Sequence, residues 1–165
     1  MKTKTNLLLV LTFVCITTAF GQKETSQTNG TIHNTHKNID TEYKVIKAME
    51  QNDFDTAFGY YRDDATFASV NDEPGTIFTK EQAEKYRKLF HQRFKIVSME
   101  MKRPSLYLEF DKGNGEVFSW WVFHLIRQSD QKEILMPIHF INSFDENGKI
   151  INEFAYYSDA LAYGE

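Results

Sequence analysis

The sequence predicts one α+β domain in which a group of helices precedes an antiparallel sheet. In the first half of the folded region, apolar residues recur at helical spacing, whereas from residue 95 onward they follow the period of strands. Turn-forming residues separate the strands, including Asn147-Gly148, a pair typical of tight hairpins. Helices followed by a run of strands are typical of the α+β class, with the helices on one face of a curved sheet.

The chain has 165 residues and begins with a segment that is typical of a secretion signal. Lys2 and Lys4 precede an apolar run over residues 7–16, and small residues stand just before Gln22. We therefore predict a cleavable signal peptide over residues 1–21 and an exported protein, periplasmic or extracellular. A membrane anchor is the alternative, although the run is shorter than the roughly 20 residues that a spanning helix needs.

Composition limits the chemistry and the partners. Cleavage would remove Cys15, the single cysteine, so we expect neither disulfides nor thiol chemistry in the mature chain. A net charge of −4 without a basic patch argues against nucleic acid as a partner. We expect no cofactor and no metal, because His33 and His36 lack a third ligand in a loose segment. The polar residues 22–39 predict a disordered tether, which leaves residues 40–165 as the domain.

Three helices and a short strand are predicted ahead of the sheet. The first helix starts at Asp40 or Thr41, with Glu42 in its first turn. The third helix is capped by Thr79, and Gln82 stands at the capping-box position. The short strand covers residues 65–70. The predicted buried sides are Tyr43, Ile46, Ala48 and Met49 in the first helix, Phe54, Ala57, Phe58 and Tyr61 in the second, and Ala83, Tyr86, Leu89, Phe90 and Phe94 in the third.

Two turns determine the predicted register of the sheet. A turn over residues 128–132 pairs Trp120 with Phe140, and the Asn147-Gly148 turn pairs Phe140 with Ala155. A slip of one residue would exchange the two faces. Pro104 marks an edge or a bulge, because it lacks a backbone donor. The predicted strands are 96–102, 105–110, 116–127, 133–144 and 150–157; one face carries Phe118, Trp120, Val122, His124, Met136, Ile138, Phe140, Asn142, Ala155, Tyr157 and Asp159, and the other carries Ser119, Trp121, Phe123, Leu125, His139, Ile141, Phe154 and Tyr156.

Two short motifs resemble segments of the NTF2-like superfamily, which includes the SnoaL-like domains. Residues 60–66 are similar to its Y-x-D-D-A-T segment, and residues 144–150, followed by Tyr157 and Asp159, are similar to its closing hairpin. The element order over residues 40–159 is similar as well. The resemblance implies a cone, in which the sheet curls around a pocket plugged by helices. The superfamily contains isomerases, dehydratases, epoxide hydrolases, cyclases and non-catalytic binding modules, so the fold does not fix the function.

The resemblance also assigns the pocket face and argues against one reaction. In the ketosteroid-isomerase branch, the oxyanion-stabilising Tyr, the base and the hydrogen-bonding acid correspond to Val45, Ser69 and Phe140 of this chain. Proton abstraction next to a carbonyl needs those groups, so we reject that chemistry. The predicted ligand-binding residues are Tyr61, Phe67, Phe118, Trp120, His124, Ile138, Phe140, Asn142 and Tyr157.

Three functions remain open at this point. The first is an exported module that binds a small, largely apolar molecule in an aromatic-lined pocket. The second is a lyase, isomerase or hydrolase that uses His124 and Asp159, which share a row of the predicted sheet; a structural role for His124 competes with it. The third is a structural dimer whose pocket is filled by its own side chains.

The second sheet face is also apolar, whereas a sheet with one wet face should alternate apolar and polar residues. We therefore expect a homodimer that buries this face, and cover by the tail is the alternative. The predicted interface consists of Trp121, Phe123, His139 and Ile141.

Overall fold

The computed structural model describes residues 30–111 and 114–163, so the predicted signal peptide lies outside the described residues. In the described part, no helix is both long enough and apolar enough to cross a membrane. The elements, in chain order, are β1 (Gly30–His33), α1 (Lys37–Glu50), α2 (Phe54–Gly59), β2 (Tyr61–Ser69), β3 (Phe78–Thr79), α3 (Lys80–Arg93), β4 (Phe94–Phe110), β5 (Gly115–Arg127), β6 (Glu133–Phe144), β7 (Ile150–Tyr156) and α4 (Asp159–Tyr163).

The described strands form one curved seven-stranded sheet in the order β1-β4-β5-β6-β7-β2-β3. All neighbouring strands in this part of the chain pair antiparallel except β2 and β7, which are parallel. The predicted α+β class is confirmed. β4 runs unbroken past Pro104, and its pairing with β5 shifts register between Met101 and Leu106, which confirms the predicted bulge.

Residues 30–39, the part of the predicted tether that the structure describes, are not disordered, because they form β1 and the start of α1. Residues 22–29 of that prediction lie outside the described residues. β1 pairs with the free edge of β4, which supplies the backbone partners that this polar segment needs. His36 caps α1, and its Nδ1 accepts a hydrogen bond of 3.2 Å from the backbone N–H of Asn38. The ring of His36 stacks on Tyr107 with the ring centroids 3.8 Å apart. The helix that was predicted to start at Asp40 therefore starts one turn earlier.

The predicted register between β5 and β6 is wrong by one residue. Ser119, and not Trp120, lies opposite Phe140. The loop is shorter than the predicted turn, because the N–H of Arg127 already bonds to the carbonyl of Lys132 at 2.9 Å and Gln131 takes a left-handed φ of 58°. A shift of one residue turns every β5 side chain to the other face. Val117, Ser119, Trp121, Phe123 and Leu125 therefore point inward, whereas Phe118, Trp120, Val122 and His124 point outward.

The predicted register between β6 and β7 is confirmed, with Phe140 opposite Ala155. The turn type is nevertheless different from the predicted one. Gly148 has a positive φ of 77°, but Asn147 does not, and the N–H of Gly148 bonds to the carbonyl of Asp145 at 3.0 Å. This loop is longer than a two-residue turn, and a register shift between Ser143 and Phe144 compensates for the difference.

The helices cover the concave face of the sheet. The predicted capping box of α3 is confirmed, since Thr79 Oγ1 accepts from the N–H of Gln82 at 3.3 Å and Gln82 Oε1 accepts from the N–H of Thr79 at 2.9 Å. Apolar side chains of α1 and α2 meet the inward residues of β2 and β5 in one continuous core. The hollow of the curved sheet thus lies between strands and helices.

Candidate functional site

A cavity of about 480 Å³ lies between the concave face of the sheet and the helices α1, α3 and α4. Tyr86 and Leu89 of α3 were predicted to be buried, but they are 56% and 39% exposed and also line the cavity. They therefore form its rim rather than part of the core. The wall behind them is mostly apolar and includes Phe67, Phe90, Met99, Phe123, Met136 and Phe140.

One polar cluster interrupts the apolar wall, and we call Arg87, Glu153 and Tyr61 the anchor cluster. Nη2 of Arg87 donates to Oε1 of Glu153, and the hydroxyl of Tyr61 donates to Oε2 of the same carboxylate. The Glu153 side chain is only 5% exposed, so its carboxylate lies away from bulk water. Burial and the charge of Glu153 raise the pKa of Tyr61 well above its usual value, so the phenol keeps its proton and remains a donor.

A second polar cluster lies behind the cavity and contains Glu42, Ser119, Asn142 and Trp121. Oε1 of Glu42 accepts two hydrogen bonds, one from the Ser119 hydroxyl and one of 3.1 Å from the Asn142 amide. The indole N–H of Trp121 in turn donates to Ser119 Oγ at 2.9 Å. Burial, with the charge of Glu153 adding to it, raises the pKa of Glu42 to about 8, against the hydrogen bonds that lower it. Glu42, which the sequence placed in the first turn of the first helix, is therefore mostly a neutral acid at pH 7.

The structure places only part of the predicted site at the cavity. Phe67, Ile138, Phe140 and Tyr157 line it. Tyr61 and Asn142 lie behind the wall, where they bond to Glu153 and Glu42. The assignment of Phe118, Trp120 and His124 to the cavity face is wrong, because the shorter loop turns all three side chains to the convex face.

The predicted pairing of His124 with Asp159 is also wrong. His124 lies on the convex face with its Nε2 3.6 Å from Oε2 of Glu133. Asp159 starts α4, and burial, followed by the charge of Asp72, raises the pKa of its carboxyl group. The two side chains do not meet in the cavity. At the positions compared with ketosteroid isomerase, Val45 is a core residue, whereas Ser69 and Phe140 line the cavity.

The convex face carries a row of partly exposed rings, and we call Phe118, Trp120, His139 and Tyr156 the outer patch. The His139 ring stacks on Trp120 at 5.0 Å, on Tyr156 at 5.7 Å and on Phe118 at 6.2 Å between ring centroids. His139 and Ile141 were predicted on this face and lie on its strand positions. Trp121 and Phe123 are wrongly predicted, since they are 2% and 4% exposed and point inward.

Sequence reasoning missed Arg87 and the burial of Glu42. Arg87 stands four residues after Ala83 and three before Phe90, and Glu42 stands three and seven residues before Val45 and Met49. Both charges therefore share a helical face with buried apolar residues. From this spacing, a charged group directed into the interior could have been predicted for each helix.

No protein-family model matches the chain, and no curated protein matches its sequence significantly.

Solved structures do match. An LEH-like epoxide hydrolase from M. tuberculosis is 14% identical with a TM-score of 0.59, and covers 80% of this chain and 90% of its own. A candidate polyketide cyclase from Xanthomonas campestris pv. campestris is 13% identical with a TM-score of 0.62, and covers 81% and 100%. A candidate SnoaL-like polyketide cyclase from Mesorhizobium loti is 18% identical with a TM-score of 0.52, and covers 72% and 97%. At this level of identity the match shows the fold, and the chain has the NTF2-like fold.

Proposed function

We propose that this chain is an exported binding protein for a small, largely apolar molecule that occupies the cavity. The observation that carries the proposal is the cavity itself, about 480 Å³ in volume and not filled by the side chains around it. Small-molecule sites commonly measure about 300–1,000 Å³ and combine an apolar wall with few polar groups. The apolar wall and its single anchor cluster fit that description, and they disfavour a purely structural role with a filled pocket.

We propose a binding function rather than catalysis by His124 and Asp159. The proposed enzyme needed His124 and Asp159 on one face, but His124 points away from the cavity. The solved relatives described as hydrolases, cyclases and isomerases share the fold with this chain, and that fold supports many reactions and many binding functions.

Cavity binding is tested with the neutral fluorescent probe N-phenyl-1-naphthylamine. Ala155 is buried in the cavity wall on β7, so Ala155→Phe places a ring in the space that the probe needs. We expect the wild-type protein to bind the probe saturably and the variant to bind it about tenfold more weakly or worse, since roughly 1.4 kcal/mol of lost contact suffices.

Leu135→Phe is the matched control, because Leu135 is 64% exposed on the convex side of the neighbouring strand. This variant should bind the probe as the wild-type protein does. Wild-type affinity in Ala155→Phe, or an absence of saturable binding to the wild-type protein, would contradict the proposal.

Export is tested on the full chain expressed in a Gram-negative host. The charged Lys2 and Lys4 and the apolar run after them support cleavage before Gln22. The intact mass of the protein from the periplasmic fraction should correspond to a chain that starts at Gln22. A protein that keeps residues 1–21 and stays in the cytoplasm would contradict this part of the proposal.

We also propose that the outer patch pairs with the outer patch of a second copy of this chain. The described helices all cover the concave side, so the stacked rings of the convex side remain partly exposed. A two-fold axis would place each patch against its own copy, which buries rings of the same chemistry on both sides. Monomeric proteins rarely leave a large apolar patch in water.

A further inference from the structure

Arg87 presents hydrogen-bond donors that the described residues leave unused. A guanidinium group carries five N–H donors. Within the described part of the chain, one hydrogen bond is formed by the Arg87 side chain, from Nη2 to Glu153. The side chain is 24% exposed and lines the cavity, and none of its nitrogens is a buried atom without a partner. The remaining N–H groups therefore face open space.

The position of Arg87 is held from two sides. Glu153 binds it by an ion pair, and the guanidinium carbon lies 5.9 Å from the ring centroid of Phe140, which is a cation–π distance. Both oxygens of Glu153 already accept hydrogen bonds, one from Arg87 and one from Tyr61. The Glu153 side chain is only 5% exposed, so its remaining acceptor sites are largely covered, whereas the Arg87 side chain is 24% exposed. The anchor cluster thus offers the cavity mainly donors, and these donors have a fixed place.

The charges that line the cavity balance one another. Arg87 and Arg93 contribute two positive charges, and Asp72 and Glu153 contribute two negative charges. Burial and the charge of Arg87 lower the pKa of the lining His91 to about 4, so His91 is neutral at pH 7. A bound anion would therefore add a net charge to a lining that is neutral as a whole, and the guanidinium beside the apolar wall is already paired with Glu153, so the added charge is costly away from water.

We propose, on the basis of the binding function above, that the bound molecule carries an uncharged carbonyl group, as in a ketone, an ester or a lactone. Arg87 donates to the carbonyl oxygen, and the apolar remainder of the molecule fills the cavity. A carbonyl oxygen accepts without adding a donor that would itself need a partner, and the carboxylate that could serve such a donor, Glu153, is largely covered. A charged donor makes this hydrogen bond stronger than one between neutral groups.

Three probes of similar size test the proposal by displacement of N-phenyl-1-naphthylamine: butyrophenone, butylbenzene and the anion 4-phenylbutanoate. The test variant is the double substitution Arg87→Met with Glu153→Met, which removes the guanidinium donor, leaves no unpaired buried carboxylate and adds no amide donor in its place. We expect the affinity for butyrophenone to fall about tenfold in this variant, while butylbenzene affinity changes less than about threefold. Arg103→Met, which removes an exposed arginine of β4 outside the cavity lining, should leave both affinities unchanged.

A parallel measurement needs no variant. The carbonyl stretch of butyrophenone bound to the wild-type protein should lie at lower wavenumber than its stretch in an alkane solvent, because a donated hydrogen bond weakens the C=O bond. An alkane-like stretch would overturn the proposal whether or not the double variant folds.

The outcomes separate this inference from the proposed function. Equal loss of butyrophenone and butylbenzene affinity, or tighter binding of 4-phenylbutanoate than of butyrophenone, would overturn the carbonyl assignment while leaving apolar binding intact. If the wild-type protein bound neither butylbenzene nor N-phenyl-1-naphthylamine, the proposed function itself would fail.

Discussion

Two charged residues, Arg87 and Glu42, define the polar chemistry of the interior. Each stands on a helical face that is otherwise apolar, so helix formation alone directs it towards the sheet. The surroundings of the two side chains differ, because Arg87 forms an ion pair with Glu153, whereas Glu42 accepts hydrogen bonds only from neutral donors. A buried carboxyl group without a counter-charge gains a proton, and this explains the raised pKa of Glu42.

Glu42 makes the stability of the protein depend on pH. Its folded-state pKa of about 8 lies above the ordinary value of 4.5, so unfolding between these values releases a proton. The contribution is full below about pH 4.5 and is lost as the pH rises through about 8. We expect chemical denaturation to show a free energy of unfolding that falls more steeply with pH in the wild-type protein than in Glu42→Gln, by up to about 1.4 kcal/mol per pH unit.

Glu81→Gln is the control for this prediction, because Glu81 is an exposed residue in the first turn of α3. Its pH profile should match that of the wild-type protein. A Glu42→Gln profile parallel to the wild-type profile across this pH range would show that Glu42 is not a buried neutral acid.

Features of single elements that depend on neighbouring residues could be predicted from the sequence, whereas features that depend on the geometry of a loop could not. The capping box of α3 could be predicted because Thr79 and Gln82 lie within one turn of each other. The face of β5 could not, because it depends on a loop in which Gln131 takes a left-handed conformation that glutamine rarely adopts. The same single-residue error moved Trp120 and His124 into the predicted site.

The N-terminal strand β1 was not predicted, and the reason is a different one. Residues 30–33 contain little that would bury an apolar surface, so composition alone favours a flexible segment. The strand exists because the edge of β4 lies nearby in space, about 76 residues further along the chain, as the pair of His33 and Glu109 shows. A contact at this sequence separation leaves no local pattern.

Gly115 tests the packing at the start of β5. A Cβ atom at this position would lie 2.2 Å from the hydroxyl of Tyr107, whose ring is held by stacking on His36. Gly115→Ala should therefore force the ring to move and lower the free energy of unfolding by about 1–3 kcal/mol, measured by chemical denaturation.

Gly59→Ala is the matched control for this change. Nothing lies within 4 Å of a Cβ added there, and the residue belongs to α2. The substitution should be neutral or stabilising by up to about 1 kcal/mol. If Gly115→Ala were as harmless as Gly59→Ala, the close contact with Tyr107 would be wrong.

The fold of the whole molecule could be predicted from the order of its elements. Helices before a run of antiparallel strands can bury both sets of apolar faces only if the helices fill the hollow of a curved sheet. The cavity is the space that this packing leaves unfilled. The ion pair in its wall joins Arg87 of α3 to Glu153 of β7, which are 66 residues apart in the chain. Their meeting could not be predicted from local patterns.

The oligomeric state follows from the convex face. Trp120→Lys places a charge in the middle of the outer patch, so it should weaken a two-fold contact without disturbing the interior. Light scattering coupled to size exclusion should give a dimer for the wild-type protein and a monomer for this variant at the same concentration. Ile77→Lys, at a residue 64% exposed in a loop, should remain dimeric. A monomeric wild-type protein would contradict the proposed pairing.

The proposed function requires that the hollow between the concave face of the sheet and the helices receives an apolar molecule. Methionine methyl groups report on it directly, because Met49, Met99 and Met136 line the cavity, whereas Met101 is 36% exposed and lies outside the lining. The measurement is a titration of ¹³C-methyl-methionine protein with butyrophenone, followed by NMR and assigned with single Met→Leu variants. We expect the signals of Met49, Met99 and Met136 to shift together and to saturate, while the signal of Met101 stays in place. A shift of Met101 alone, or no saturable shift in the other three, would contradict the proposed function.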